Sequence, residues 1–205
     1  MKRITILSAV HLALDNRVFY REARSLAGAG YDVTLIAVHD RDETRDGVRI
    51  RALPRVARSR RPMLWRTLGR MARETGADAF QIHDPELLLL TPWLRRATGK
   101  PTIYDIHEAN ADFIAVKEYL PGPVRHPLAG LFRRMEPRLA ARESALLFAD
   151  DAIAADFAGF RGPKATLFNF PGDELMAAGA GAGPAAEPVA LYLGGMERNR
   201  GSALM

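Results

Sequence analysis

Residues Asp78 to Leu90 read DAFQIHDPELLLL. An apolar run ends in His83-Asp84-Pro85, and a leucine run follows. Further along, KPTIYDIHEAN (Lys100 to Asn110) repeats the arrangement with Asp105, His107 and Glu108. The short runs AFQI and PTIYDI read as strands bounded by turn signals. Pro85 suits the first turn of a helix, which is expected over Pro85 to Thr98. Each strand therefore ends in a histidine flanked by carboxylates, and the fold must account for that.

Working outward, ITIL (Ile4 to Leu7) is a first strand. In NRVFYREARSLAGAG, Val18, Phe19, Ala23 and Leu26 share one helical face, and Gly28 and Gly30 end the helix. DVTLIAV (Asp32 to Val38) and the more exposed GVRIRAL (Gly47 to Leu53) are further strands. A basic helix is expected over Pro62 to Thr75. A long helix is expected over His126 to Phe148, kinked or broken at Pro137. DAIAA and KATLFNF read as two more short strands. Strands alternate with helices, and the strands are unbroken apolar runs. The fold class is α/β, a Rossmann-like parallel sheet flanked by helices. Right-handed crossovers put every strand's C-terminal end on one edge, where ligands bind in such folds. His83, Asp84, Asp105, His107 and Glu108 then line one crevice. The loop Ser8 to Arg17 leaves the first strand at the same edge and adds His11, Asp15, Asn16 and Arg17.

Taken singly, each residue has a structural explanation. Asp84 can cap the helix that follows, Asp15 or Asn16 can cap the first helix, and His83 can be a satisfied loop histidine. Their convergence on one edge favours a site. No histidine pair has the i, i+4 spacing of a metal helix, so substrate binding ranks above a metal, and no metal is expected. The first loop, SAVHLALDN, holds no glycine, which excludes the G-x-G-x-x-G dinucleotide fingerprint. GxxxxGK[ST] and GxSxG are absent as well.

The chain has 205 residues, no cysteine and a net charge of +5. It carries no disulfide framework. MKRITILSAVHLAL resembles a leader only superficially, since His11 interrupts it and Asp15-Asn16-Arg17 follow. A cytoplasmic protein is expected. Positive charge concentrates in Arg49 to Arg73. Met63, Leu64, Trp65, Leu68 and Met71 give that segment an apolar stripe. A helix of this kind could touch an anionic membrane from the cytoplasmic side. A helix packed on the sheet is the commoner outcome. No nucleic-acid partner is expected, because interleaved aromatics are lacking.

HLALDNRVFYREARSLAGAGYDVTLIA, IHDPELLLL, PTIYDIHE, FNFP and ALYLGGMERNRG occur in that order. Together they resemble the GT-B fold glycosyltransferases of family 4. The first piece is similar to that family's D-x-R-x-x-x-E-A-x-x-L-x-x-x-G-x-x-V-x-L motif. The resemblance implies an N-terminal half of a GT-B fold. It implies a retaining glycosyltransferase of hexosyltransferase type, using a nucleotide sugar and no cofactor. The acceptor would be a glycan, a lipid-linked molecule or a small molecule. Residues 1–170 would be the Rossmann-like acceptor-binding domain, 171–188 a Gly/Ala/Pro linker, and 189–205 the start of a truncated donor-binding domain. His107 would be the catalytic histidine, orienting the reacting sugar. His11, Asp15, Asn16, Arg17, His83, Asp84, Asp105, Glu108 and Asn169 would line the acceptor side of the cleft. Gly194, Gly195 and Arg200 would meet the donor diphosphate, with Gly195 standing where relatives carry an arginine. The fragment alone is expected to be inactive. A non-catalytic sugar- or nucleotide-phosphate-binding module and a GT-B sugar-nucleotide epimerase are the alternatives.

Overall fold

The structure is a computed structural model that describes residues 1–117, 120–170 and 176–177. The strands are β1 (Arg3–Leu12), β2 (Asp32–Val38), β3 (Glu43–Arg45), β4 (Val48–Leu53), β5 (Ala79–Ile82), β6 (Thr102–Ile106), β7 (Ala145–Phe148) and β8 (Lys164–Thr166). They form one sheet in the order β3-β4-β2-β1-β5-β6-β7-β8. Every described pairing is parallel except β3 with β4. That pair is a hairpin missing from the sequence reading. Its two-residue turn is Asp46-Gly47, both at positive φ (49° and 79°), the geometry that Asp-Gly supplies. The order reverses at β1, the switch point at which open parallel sheets bind ligands.

The helices are α1 (Arg24–Gly28), α2 (Arg61–Glu74), α3 (Thr91–Thr98), α4 (Asn110–Val116), α5 (Gly122–Ala140) and α6 (Asp151–Ala155). Strand alternation sorts the core into two layers. On one face, Leu68, Leu94, Ala140 and Ile153 from the helices pack with Leu7, Phe80, Ile82, Tyr104 and Phe148. On the other, Val18, Phe19 and Ala23 pack on Ile6, Val33, Leu35 and Ile50. Each large side chain so buried contributes about 1.5–3 kcal/mol.

Several expected elements differ. Asp151–Ala155 is a short helix, not a strand, because Asp150 Oδ1 caps the amide of Ala152 at 2.7 Å. Ala145–Phe148 is strand β7 and not the end of the long helix, which stops at Ala140. That helix runs through Pro127 and Pro137 without ending at either. The segment after Pro85 is a 3-10 turn, Pro85–Leu89, before α3 begins. The basic helix packs on the sheet through Leu68, Met71 and Ala72. The expected linker at 171–188 and strand at 189–193 lie outside the described residues, save 176–177.

The approach to α1 has the most consequence for the site. Asn16–Ala23 is π-helical. Tyr20 N–H points at Asp15 O (3.4 Å), and Arg24 N–H at Phe19 O, each five residues back. The motif that this segment resembles places Arg and Glu four residues apart; here Arg17 and Glu22 are five apart. An i, i+5 winding absorbs the extra residue and returns both side chains to one face.

Candidate functional site

Tyr104 and Ile106 face the helix-rich layer, so alternation turns Asp105 to the other face. Gln81, between Phe80 and Ile82, turns the same way. These polar groups meet the π-helical segment. Asp105 is wholly buried, a costly place for a carboxylate without partners. Arg17 forks onto it, with Nε 3.1 Å from Oδ2 and Nη2 2.8 Å from Oδ1. His107 Nε2 lies 2.9 Å, and His83 Nδ1 3.2 Å, from the same Oδ2. The two imidazoles also meet, Nδ1 of His83 to Nε2 of His107 at 2.6 Å. Arg17 Nη1 donates to Leu167 O (2.8 Å) and Asn169 Oδ1 (2.9 Å), tying the segment after β8 to the cluster. Asp15 Oδ1 accepts the amides of Arg17 (2.8 Å) and Val18 (3.0 Å), which fixes where the π-helical turn starts.

Glu22 is the member that the sequence reading missed. Its Oε1 lies 2.8 Å from Arg17 Nε, but that N–H is directed at Asp105, and Oε1 is buried without a hydrogen-bond partner. Gln81 Nε2 donates to its other oxygen. Burial, then the neighbouring charge of Asp105, pushes the Glu22 carboxyl up to about 10. Burial acts on Asp105 in the same sense, but its bonds from His107 and His83 prevail and hold it well below the carboxylate range. One guanidinium faces two carboxyl groups. Asp105 keeps the negative charge and Glu22 keeps a proton. Burial lowers the pKa of His83, which stays a neutral imidazole. Burial alone would lower Arg17, yet its bond to Asp105 raises it further.

Above this buried layer lies a more open one. The His107 side chain is 12% exposed and that of His11 32% exposed, and the rings lie 5.3 Å apart. His11 sits 3.6 Å from Asp15 and 3.7 Å from Asp84. The bond to Asp15 raises the His11 pKa. Burial would raise Asp15, but His11 and the two amides hold it well below its usual range. Asp84 makes no side-chain cap on the turn behind it. Instead it accepts the amides of Ala9 and Val10 and the Ser8 hydroxyl, and so shapes the irregular end of β1, which runs on to Leu12 and carries His11 where a loop from Ser8 was expected.

The structure thus brings His11, Asp15, Arg17, His83, Asp84, Asp105, His107 and Asn169 to one edge. Arg17 and Asp105, expected on the cleft wall, lie beneath it. Asn16 and Glu108 are exposed at the rim. Gly194, Gly195 and Arg200 fall outside the described residues. Donor atoms of Glu22, His83, Asp105 and His107 lie within 4.8 Å of one another, a set able to ligate a metal. Arg17 contacts both carboxyl groups of that set, 2.8 Å from each.

A family model described as a glycosyl transferase 4-like domain matches residues 16–170. No curated protein sequence matches the chain. Among solved structures it is similar to a sucrose-phosphate synthase from Thermosynechococcus elongatus, at 15% identity and a TM-score of 0.68, covering 98% of this chain and 57% of that one. HepE of Anabaena, solved in complex with UDP-glucose, has 13% identity and a TM-score of 0.51 over 82% of this chain and 44% of its own. UGT73P12 of Glycyrrhiza uralensis, solved with glycyrrhetinic acid 3-O-monoglucuronide, has 12% identity and a TM-score of 0.51 over 82% of this chain and 48% of its own. At such identities the likeness is one of fold. The chain spans little more than half of the synthase and less than half of the other two.

Proposed function

The chain belongs to the glycosyltransferase 4-like domain family, and on that premise we propose that it forms the acceptor-binding half of a retaining glycosyltransferase. The observation that carries this is the histidine cluster at the C-terminal edge of β1, β5 and β6. Only its outermost members, His107 and His11, reach the crevice. The fold it shares with a sucrose-phosphate synthase and with HepE, a protein solved with UDP-glucose, supports a nucleotide-sugar donor.

His107 has Nε2 engaged by Asp105, which leaves Nδ1 as the nitrogen available to a substrate hydroxyl. Asp105 fixes the ring, and Arg17 fixes Asp105. His107 therefore acts as an oriented hydrogen-bond partner for the reacting sugar and not as a nucleophile. His11, next to Asp15 and Asp84, binds acceptor hydroxyls beside it. Charge that grows on the leaving diphosphate is met from the donor side, where Gly194, Gly195 and Arg200 are the candidate contacts.

The test is transfer from UDP-, GDP- and ADP-sugars by the full-length protein, with His107→Ala and His107→Gln beside the parent. Loss of turnover by about 10²-fold or more in His107→Ala, far beyond its loss of fold stability, is the expected result; a melting temperature that falls as sharply as the rate makes His107 structural. Parental turnover in His107→Ala removes His107 from the mechanism. Absence of transfer from every donor by the parent removes the enzyme reading.

A further inference from the structure

On the outer side of the helix-rich layer, α2 and α3 leave a groove of about 480 Å³ lined by Trp65, Arg66, Arg70, Arg73, Leu90 and Trp93. Both of the chain's tryptophans are here. Trp93 packs against α2 at Gly69, where a Cβ would come within 2.7 Å of its ring. Trp93 nevertheless stays 46% exposed, and Met63 in the first turn of α2 (75%) and Leu89 just before α3 (56%) are exposed as well. The arginines lie at i, i+4 and i+7 on the outward side of α2. Arg70 reaches Glu74 at 4.0 Å. Arg66 and Arg73 have no carboxylate partner among the described residues.

We infer that this α2–α3 face docks on a bilayer that carries anionic lipids. The Trp93 ring, half out of the packed surface, suits the headgroup region, while Trp65 is partly buried against the core with its indole N–H enclosed. Guanidinium groups at the rim suit lipid phosphates. Met63 and Leu89 provide apolar contact beyond them. Single-stranded nucleic acid fits less well, because Trp93 lies against α2 at Gly69 and does not offer a free stacking platform. The orientation is also consistent. α2 starts where β4 ends, so Met63 and Arg61, the latter 3.6 Å from Glu86, mark the same edge of the sheet as His107. A docked face would hold the crevice beside the lipid surface. No helix among the described residues is long and apolar enough to cross a membrane, so this contact is peripheral. It is narrower than the Arg49–Arg73 segment suggested by the sequence, since Arg49 pairs with Asp32 (2.7 Å) and Arg51 with Glu74 (3.4 Å) on the sheet side.

Vesicle flotation tests this without any assumption about sugar transfer. The probes are phosphatidylcholine vesicles and phosphatidylcholine–phosphatidylglycerol vesicles. Binding is expected to the second only, with a blue shift of tryptophan fluorescence and a loss as salt rises. Arg66→Gln and Arg73→Gln should each weaken it roughly fivefold. Met63→Asp and Leu89→Asp, at exposed positions, should weaken it without changing the melting temperature. Arg142→Gln, outside the groove, should leave it unchanged. Failure of the parent to float with anionic vesicles at low salt overturns the inference. So does floating that survives Arg66→Gln/Arg73→Gln, and so does binding of an RNA oligomer through these arginines with no vesicle binding.

Discussion

Asp105 and Glu22 sit on one guanidinium but end in opposite protonation states, and that makes a test at the level of single residues. Removing Asp105 leaves Arg17 buried without its bidentate partner. Asp105→Ala should cost about 3–5 kcal/mol in urea unfolding at neutral pH. Glu22→Gln copies the shape and neutrality of the protonated acid without the loss that Glu22 incurs above its unfolded pKa, so at neutral pH it should leave stability level or raise it. The pH dependence separates them further. Glu22 is raised to about 10, so between its unfolded value and that pH the folded state binds the extra proton. Its contribution to stability therefore falls as pH rises through that window, at a slope of at most about 1.4 kcal/mol per pH unit. Glu22→Gln should flatten the decline between neutral and alkaline pH; an unchanged profile would mean Glu22 is ionised in the fold. Asp105, His83 and His107 were legible in the sequence because each closes an apolar strand. Glu22 was not, because it lies outside the apolar face of Val18, Phe19, Ala23 and Leu26 and has Arg21 and Arg24 near it in sequence. The π-winding that turns it inward has no signature in apolar periodicity.

That winding is a property of the element. The spacing of one extra residue between Arg17 and Glu22 is visible in the sequence, but whether a loop, a bulge or a kink absorbs it is settled by packing. Val18, Phe19 and Ala23 are fully buried against the sheet, and the insertion is tolerated because the turn widens around them. Deleting the partly exposed Tyr20 should convert Asn16–Ala23 to an ordinary α-helix with Arg17 and Glu22 four apart. The thermal midpoint should stay level or rise, because α-helical spacing now suffices. A second insertion beside Tyr20 should lower it, because no further widening can keep both residues on Asp105. A deletion variant that fails to fold would show that the widened turn itself is required. The elements misread from sequence share one physical cause. Short alanine-rich or leucine-rich runs such as Asp151–Ala155 and Ala145–Phe148 fit either period, and a single cap or turn decides between them. Asp150 is such a cap, and the turn after Ala140 frees β7.

At the scale of the whole molecule, the alternation of apolar runs was enough to read a parallel sheet with one ligand edge. How fully each face is covered was not legible, since a strand's sequence does not say which helix lies over it. Among the described residues, the face of β1, β2 and β4 packs under the π-helical segment, while the same face of β7 is only half-buried at Ala145 and Leu147. Parallel sheets are normally covered on both faces. Here Leu26, Leu147, Leu167, Phe168 and Phe170 border a space of about 460 Å³ beside Arg21. Phe168 and Phe170 stack at 5.3 Å, yet they remain 45% and 71% exposed. Two aromatic rings next to a cation and an apolar floor suit an anionic apolar dye. The protein should enhance the fluorescence of anilinonaphthalene sulfonate at neutral pH while fully folded. Phe168→Ser/Phe170→Ser should remove most of that signal. Its cost in stability should be small, about 0.5–1.5 kcal/mol for the lost ring pair, because little else of Phe170 is buried. If the parent gives no enhancement, the face is covered in solution. If the double variant unfolds instead, the two rings belong to the core of the domain and not to its surface.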